Sequence, residues 1–228
     1  MSAQAYPADA TLAASSLIYI ADPLCSWCYG FGPELRALLA ALPDMPLDIV
    51  VGGLRAYHSE TLDDATRLQL RAHWRHVEQA TGLPFRHDAL DRPGFIYDTE
   101  PACRTVVAAR RLAPQAALAV FHAIQQAFYA EAQEVTDGKV LAEIAVAALR
   151  RAGVAADSAA FHALWADEDT AAATRDEFIQ TQRWGIGGFP TLVLEHDGKL
   201  ELLAAGFARA EVLAGRLREL MQTLPQRQ

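Results

Sequence analysis

Residues 21–35 read ADPLCSWCYGFGPEL, and they hold two of the chain's three cysteines, Cys25 and Cys28, three positions apart. Just before them, SLIYIA (16–21) is a short apolar run with β-branched and aromatic members. Asp22-Pro23 stops such a run, so it reads as a strand. Just after them, Leu35, Leu38, Leu39 and Leu42 recur at helical spacing, and Pro43 ends the pattern. Pro33, close behind Gly30 and Gly32, should kink or restart that helix. A second strand, LDIVVGGL (47–54), closed by glycines, follows. Strand, helix and strand in this order predict a βαβ unit with parallel strands and a right-handed crossover. The cysteine pair therefore sits where a strand hands over to a helix.

From residue 59 to about 184 strand signals vanish and alanine is abundant. Helices are expected over 60–81, 98–112, 114–130, 137–152, 157–166 and 168–184. Pro114 suits a first helical turn, Thr136 an N-cap and Gly153 a C-terminal stop. In the 137–152 segment Val140, Ile144 and Ala148 recur beside Leu141, Ala145 and Leu149, a broad apolar face. Strand texture returns after GIGGFP. TLVLEH and KLELLAA flank Asp197-Gly198, a two-residue hairpin signal. A last helix over 209–222 carries Val212, Leu213, Leu217 and Leu220. The expected fold class is α/β, βαβ…ββα, with an all-helical domain inserted between the second and third strands. The expected domains are a discontinuous one, 1–56 with 185–228, and the insertion, 57–184.

The chain has 228 residues and a formal net charge of -8. That balance speaks against nucleic acid, whose phosphates need a basic face. The arginine pairs 71/75, 110/111 and 150/151 lie in helical patterns beside acids and read as solvated faces. The N-terminus lacks a basic region ahead of its apolar stretch, so no signal peptide is expected. No apolar run approaches a membrane span, and a cytoplasmic location follows. Cytosolic thiols are kept reduced, so a CxxC there is more apt to act than to staple.

At a helix start, unsatisfied N–H groups and the positive dipole end favour thiolate over thiol at Cys25. Thiolates attack disulfides, and a second thiol one turn on, Cys28, can resolve the mixed disulfide. Two other readings stand beside this. The pair could be incidental packing. It could also be half of a zinc site, which would need a second ligand pair, and the one candidate is His73 with His76. Downstream, Gly187-Gly188-Phe189-Pro190-Thr191 sets a proline at a strand start, where it costs no ladder bond. A trans or a cis bond would fit there.

With both stretches in hand, the chain resembles the DsbA-like branch of the thioredoxin superfamily, most closely its FrnE-like group of predicted protein-disulfide isomerases. DPLCSWCYGF and GIGGFPTLVL carry the resemblance, with TEPACR (99–104) a weaker third. The resemblance implies that Cys25 is an exposed nucleophile and Cys28 a buried resolving thiol. It implies that Ser26 and Trp27 tune the redox potential, and that Pro190 is a cis-proline facing the disulfide. Phe189 would shape the substrate groove, with Trp27 and Thr191 beside it. The departures from exporting DsbA enzymes are the absent leader and Ser-Trp in place of Pro-His between the cysteines. Kappa-class glutathione transferases and hydroxychromene carboxylate isomerases share the scaffold but usually carry serine at the position of Cys25.

Three residues are open to two readings. Asp22 is a proton acceptor near the thiols or, more simply, an Asp-Pro turn residue. Cys103 is a third thiol near the site or a buried thiol packed with Val106 and Val107. Trp27, Tyr29 and Phe31 line a groove or are buried, with Trp27 the one expected at the surface. The function expected is thiol–disulfide oxidoreductase, as protein-disulfide reductase or isomerase. Its substrate would be a disulfide-containing protein or small thiol, served by a cellular thiol reductant. No metal and no tightly bound cofactor are expected, with glutathione a candidate co-substrate. The alternative is a glutathione-dependent transferase or isomerase acting on a small aromatic molecule.

Overall fold

The computed structural model describes residues 15–223. The N-terminal segment read above for a leader lies outside them. Four strands form one sheet in the order β2-β1-β3-β4. β1 (Ser15–Ala21) runs parallel to β2 (Leu47–Val51) and antiparallel to β3 (Thr191–His196), which pairs antiparallel with β4 (Lys199–Ala205). Between β1 and β2 runs α1 (Ser26–Ala40), and α8 (Ala210–Thr223) closes the chain. This is a thioredoxin-like core, and the helical insertion lies between β2 and β3 as expected.

The insertion comprises α2 (Asp64–Thr81), a 3-10 turn at His87–Asp91, α3 (Glu100–Leu112), α4 (Ala117–Gln125), α5 (Gly138–Arg151), α6 (Ser158–Ala166) and α7 (Glu168–Arg183). Three helices of the insertion start where an aspartate takes up free N–H groups. Asp63 accepts from Thr66 N, and Asp157 from Ala159 N and Ala160 N. The N-cap of α5 is Asp137, which bonds Lys139 N and Val140 N, and not Thr136, whose hydroxyl turns to Glu134. The expected 114–130 helix divides in three. Pro114 opens a 3-10 turn (Pro114–Ala116), α4 follows, and a π turn (Gln126–Ala130) ends it with Phe128 and Tyr129 buried.

Three more expectations are corrected. α1 continues through Pro33 as one helix. β2 stops at Val51, because Gly53 takes a left-handed φ of 65° that no strand continues. Of the arginine pairs, Arg75, Arg150 and Arg151 are exposed as expected, but Arg71, Arg110 and Arg111 are not simple solvated residues. On β2, the edge strand, the carbonyl of Ile49 accepts from the Arg110 guanidinium and the N–H of Val51 donates to Glu177 Oε2 at 2.8 Å. Arg110 and Glu177 also pair with each other, so side chains from α3 and α7 cover the outer edge of β2. Arg111 holds Asp167 and Thr170, and Arg71 holds Asp91. These charges found carbonyls and acids on segments far away in sequence, which local charge patterning does not reveal.

Both sides of the sheet–insertion boundary contribute to one apolar core. Leu17, Tyr19, Phe31 and Leu35 join Val106, Phe121, Ile124 and Phe128 in it. Asp197 and Gly198 take φ of 50° and 76°, the mirror-image turn that a two-residue hairpin needs.

Candidate active site

Cys25 is the N-cap of α1, in extended conformation, and its carbonyl accepts the first helical bond from Tyr29 N at 3.0 Å. The two residues before it are fixed from several sides. The carbonyl of Leu24 accepts from both Tyr97 and Tyr129 hydroxyls, each at 2.6 Å. Tyr129 stacks on Tyr29 with ring centroids 4.9 Å apart, so the helix's first turn rests on the same pair. These tyrosines come from the insertion, which thereby holds the cysteine loop of the sheet domain.

Across from Cys25, the Phe189–Pro190 bond is cis. The Cys25 thiol donates to the Phe189 carbonyl at 3.5 Å. Thr191 is buried and its hydroxyl donates to Gly188 O at 2.9 Å, tying the segment to itself. The Phe189 ring lies on Gly52, where a Cβ would meet Cζ at 2.0 Å. Glycine at 52 is what admits the ring so close to the end of β2.

The site is more enclosed than the sequence suggested. Cys25 keeps 6% of its surface, not an exposed tip, and Cys28 keeps none. Ser26 is buried as well. Trp27 is half-buried, with its ring edge-to-face against His73 and His76 and 5.5 Å from the Phe207 ring. The two histidines thus serve as a wall for Trp27. Among the described residues no group of three or more His, Cys, Asp or Glu is placed to hold a metal ion.

Asp22 does more than turn the chain. Its Oδ1 accepts from Leu24 N at 2.8 Å, the turn bond that the Asp-Pro pair implied. Its Oδ2 accepts from Leu54 N at 2.7 Å and from the Cys103 thiol at 3.5 Å. Both readings of Cys103 therefore meet: it is fully buried beside Val106 and Val107, and it reaches the residue that precedes the cysteine loop. Burial pushes the Asp22 carboxyl above its ordinary value, against the lowering effect of its hydrogen bonds. Burial likewise pushes Cys28 well up, with the Cys25 sulfur adding to it, and does the same for Cys103. The burial of Asp22, Cys28 and Cys103 behind the site favours their neutral forms.

Sequence reasoning missed Tyr97, Tyr129, Phe207 and Gly52, and it left Tyr19 unremarked. Tyr19 is fully buried in β1. A phenol in the middle of an otherwise aliphatic buried strand was a usable signal. The other four reach the site through the fold, not through any local motif.

A model of the DSBA-like thioredoxin domain matches residues 17–218. Among curated proteins nothing matches. Among solved structures, a Nitrosomonas europaea protein described as a candidate protein disulfide isomerase is 32% identical, with a TM-score of 0.80 over 91% of this chain and 98% of that one. The cytosolic disulfide reductase DsbM of Pseudomonas aeruginosa is 28% identical, with a TM-score of 0.72 over the same shares, 91% and 98%. A structure of DsbM with GSH aligns at 26% identity and a TM-score of 0.71, again over 91% and 98%.

Proposed function

The chain belongs to the DSBA-like thioredoxin-domain family, and from that premise we propose that it is a cytoplasmic protein-disulfide reductase or isomerase of the FrnE-like group. The broader activity is thiol–disulfide exchange: the family, the fold and the paired cysteines make the chain a thiol–disulfide oxidoreductase. The finer reading rests on one observation above others. Cys25 stands at the head of α1 with its thiol on the carbonyl that precedes a cis-proline, and Cys28 waits buried behind it.

In this reading Cys25 attacks a substrate disulfide. One substrate sulfur leaves as thiolate and the other stays bonded to Cys25. Cys28 then attacks Cys25 and frees it. The sum is one disulfide reduced to two thiols and the Cys25–Cys28 pair oxidised to a disulfide. The half-buried rings of Trp27, Phe207 and Phe189 form the apolar rim along which an extended segment lies, pairing with the backbone near Pro190 and Thr191. Ser26 and Trp27 tune the potential. A cellular thiol restores the pair, and glutathione is the candidate, supported by the DsbM structure with GSH. The location is supported by the name of the same relative. The discontinuous domain, 1–56 with 185–228, carries the thiols, and the domain 57–184 covers them.

The test is a pair of variants assayed for reduction of protein disulfides. Cys25→Ser should abolish turnover. Cys28→Ser should accumulate a mixed disulfide through Cys25, visible as a shift in mass that a reductant reverses. Full activity in Cys25→Ser would refute the assignment.

A further inference from the structure

Tyr19 stands in the centre of β1 with its ring stacked on Phe31 of α1, centroids 5.8 Å apart, and its edge toward Phe121 of α4. Its side chain has no exposure at all. Among the described residues no group makes a well-formed hydrogen bond with its hydroxyl, and the Cys28 thiol is the one that approaches it as a partner. A buried hydroxyl without a partner is costly, and folded proteins rarely keep one without a use. The groups that bear most closely on this hydroxyl are the sulfurs of Cys28 and Cys25, Cys28 foremost. Phe31, on which Tyr19 stacks, lies three residues after Cys28 and so on the same face of α1, which sets the Cys28 side chain beside Tyr19 on the sheet side of the helix. The structure holds both cysteines as free thiols.

We propose that the Tyr19 hydroxyl is a donor reserved for the Cys28 thiolate, idle in both resting states of the pair and engaged only while charge sits on that sulfur. A neutral thiol is a weak acceptor and a disulfide sulfur is no better. A thiolate is a strong one, and bonds to ionised groups are the strong class. The donor therefore stabilises a state that occurs only during reaction, which is the condition for speeding a step. Burial keeps the phenol neutral, so it remains a donor.

The proposal rests on the resolving role read above for Cys28. In that step Cys28 gives up its proton, which the departing substrate sulfur takes up in the end. The thiolate attacks Cys25 and forms the Cys25–Cys28 bond. The bond from Cys25 to substrate breaks, its electron pair leaves on the substrate sulfur, and that sulfur takes up a proton. In reverse, a thiolate attacks Cys25 of the disulfide and Cys28 departs with the negative charge. Tyr19 serves both directions equally.

The test is Tyr19→Phe, which removes one oxygen and keeps the ring in its stack. Stopped-flow rates for oxidation and reduction of the pair should fall by the same factor, about tenfold or more. The reduction potential, measured against glutathione buffers, should not move. Thermal stability should hold or rise, because the orphaned hydroxyl is gone. A merely structural tyrosine would instead lose stability and leave the rates alone, and that pattern overturns the proposal, as do unequal changes in the two rates. Should Tyr19→Phe fail to fold, 3,5-difluorotyrosine placed at 19, a stronger donor, should raise both rates; unchanged or lower rates overturn the proposal. Failure here leaves Cys28→Ser trapping intact, so the two readings fail separately.

Discussion

Gly52 offers a direct test of how the cis-proline segment is held. Alanine at this position would place its Cβ at 2.0 Å from Phe189 Cζ, 2.2 Å from Cε1 and 2.8 Å from Cε2. The ring tip must retreat by about 1.4 Å to reach ordinary contact, and Phe189 carries the carbonyl that accepts the Cys25 thiol. The backbone of Gly52 is not left-handed, so alanine adds no strain of its own there. Overpacking of this kind costs about 1–3 kcal/mol. Loss of glycine's freedom in the unfolded chain returns about 0.4–1 kcal/mol. The net expectation for Gly52→Ala is a loss of about 1–2 kcal/mol in urea unfolding. A displacement near 1 Å at a reacting group can cost about a hundredfold in rate. Turnover in disulfide reduction should therefore drop by about tenfold to a hundredfold, more than the modest loss of stability alone would suggest. The clash also predicts coupling: with Phe189→Ala in the background, Gly52→Ala should cost almost nothing in stability. Wild-type stability and turnover in Gly52→Ala, or additive losses in the double variant, would refute the account.

Two further outcomes follow from contacts at the same end of the sheet. Glu177→Ala leaves the Val51 N–H without its partner and Arg110 with the Ile49 carbonyl alone, in a region where the pair's side chains are 26% and 17% exposed. It should cost about 2 kcal/mol in chemical denaturation, and a change below about 0.5 kcal/mol would contradict it. Asp22 titrates above its ordinary 3.8 in the folded chain because it is buried. Between those two values the folded state holds the extra proton, so stability falls as pH rises through the window and the loss is complete above it. Asp22→Asn lacks that limb. The urea midpoint of the wild type minus that of the variant should decline from pH 4 upward and then level off; a flat or rising difference would count against a buried carboxylate with this shift.

The sheet was legible because each element announced its own period and its own stop. SLIYIA, TLVLEH and KLELLAA appear within a residue of their sequence bounds, and Asp197-Gly198 makes the turn its chemistry demands. The helices were legible to within a few residues, apart from 114–130, which divides into a 3-10 turn, a helix and a π turn. Asp137 outcompeted Thr136 as the cap of α5 because one of its oxygens serves two N–H groups, those of Lys139 and Val140. The cysteine pair and the proline segment were readable as local motifs. What surrounds them was not. Tyr97 and Tyr129 lie 73 and 105 residues from the carbonyl they share, and Glu177 lies 126 from the strand it covers. Such meetings depend on how the insertion is laid over the sheet, and no window of sequence contains them. The turn reading of Asp22 was sound for one oxygen and blind to the other for the same reason.

The covering of β2 by Arg110 and Glu177 has a meaning for the company this protein keeps. An outer strand with free peptide groups is a template on which another chain can lay a strand of its own. Partly unfolded clients, of the kind a disulfide reductase or isomerase would handle, are rich in such strands. Here the Ile49 carbonyl and the Val51 N–H are already held by a guanidinium and a carboxylate, so a client that docks beside Cys25 finds those two rungs of β2 taken.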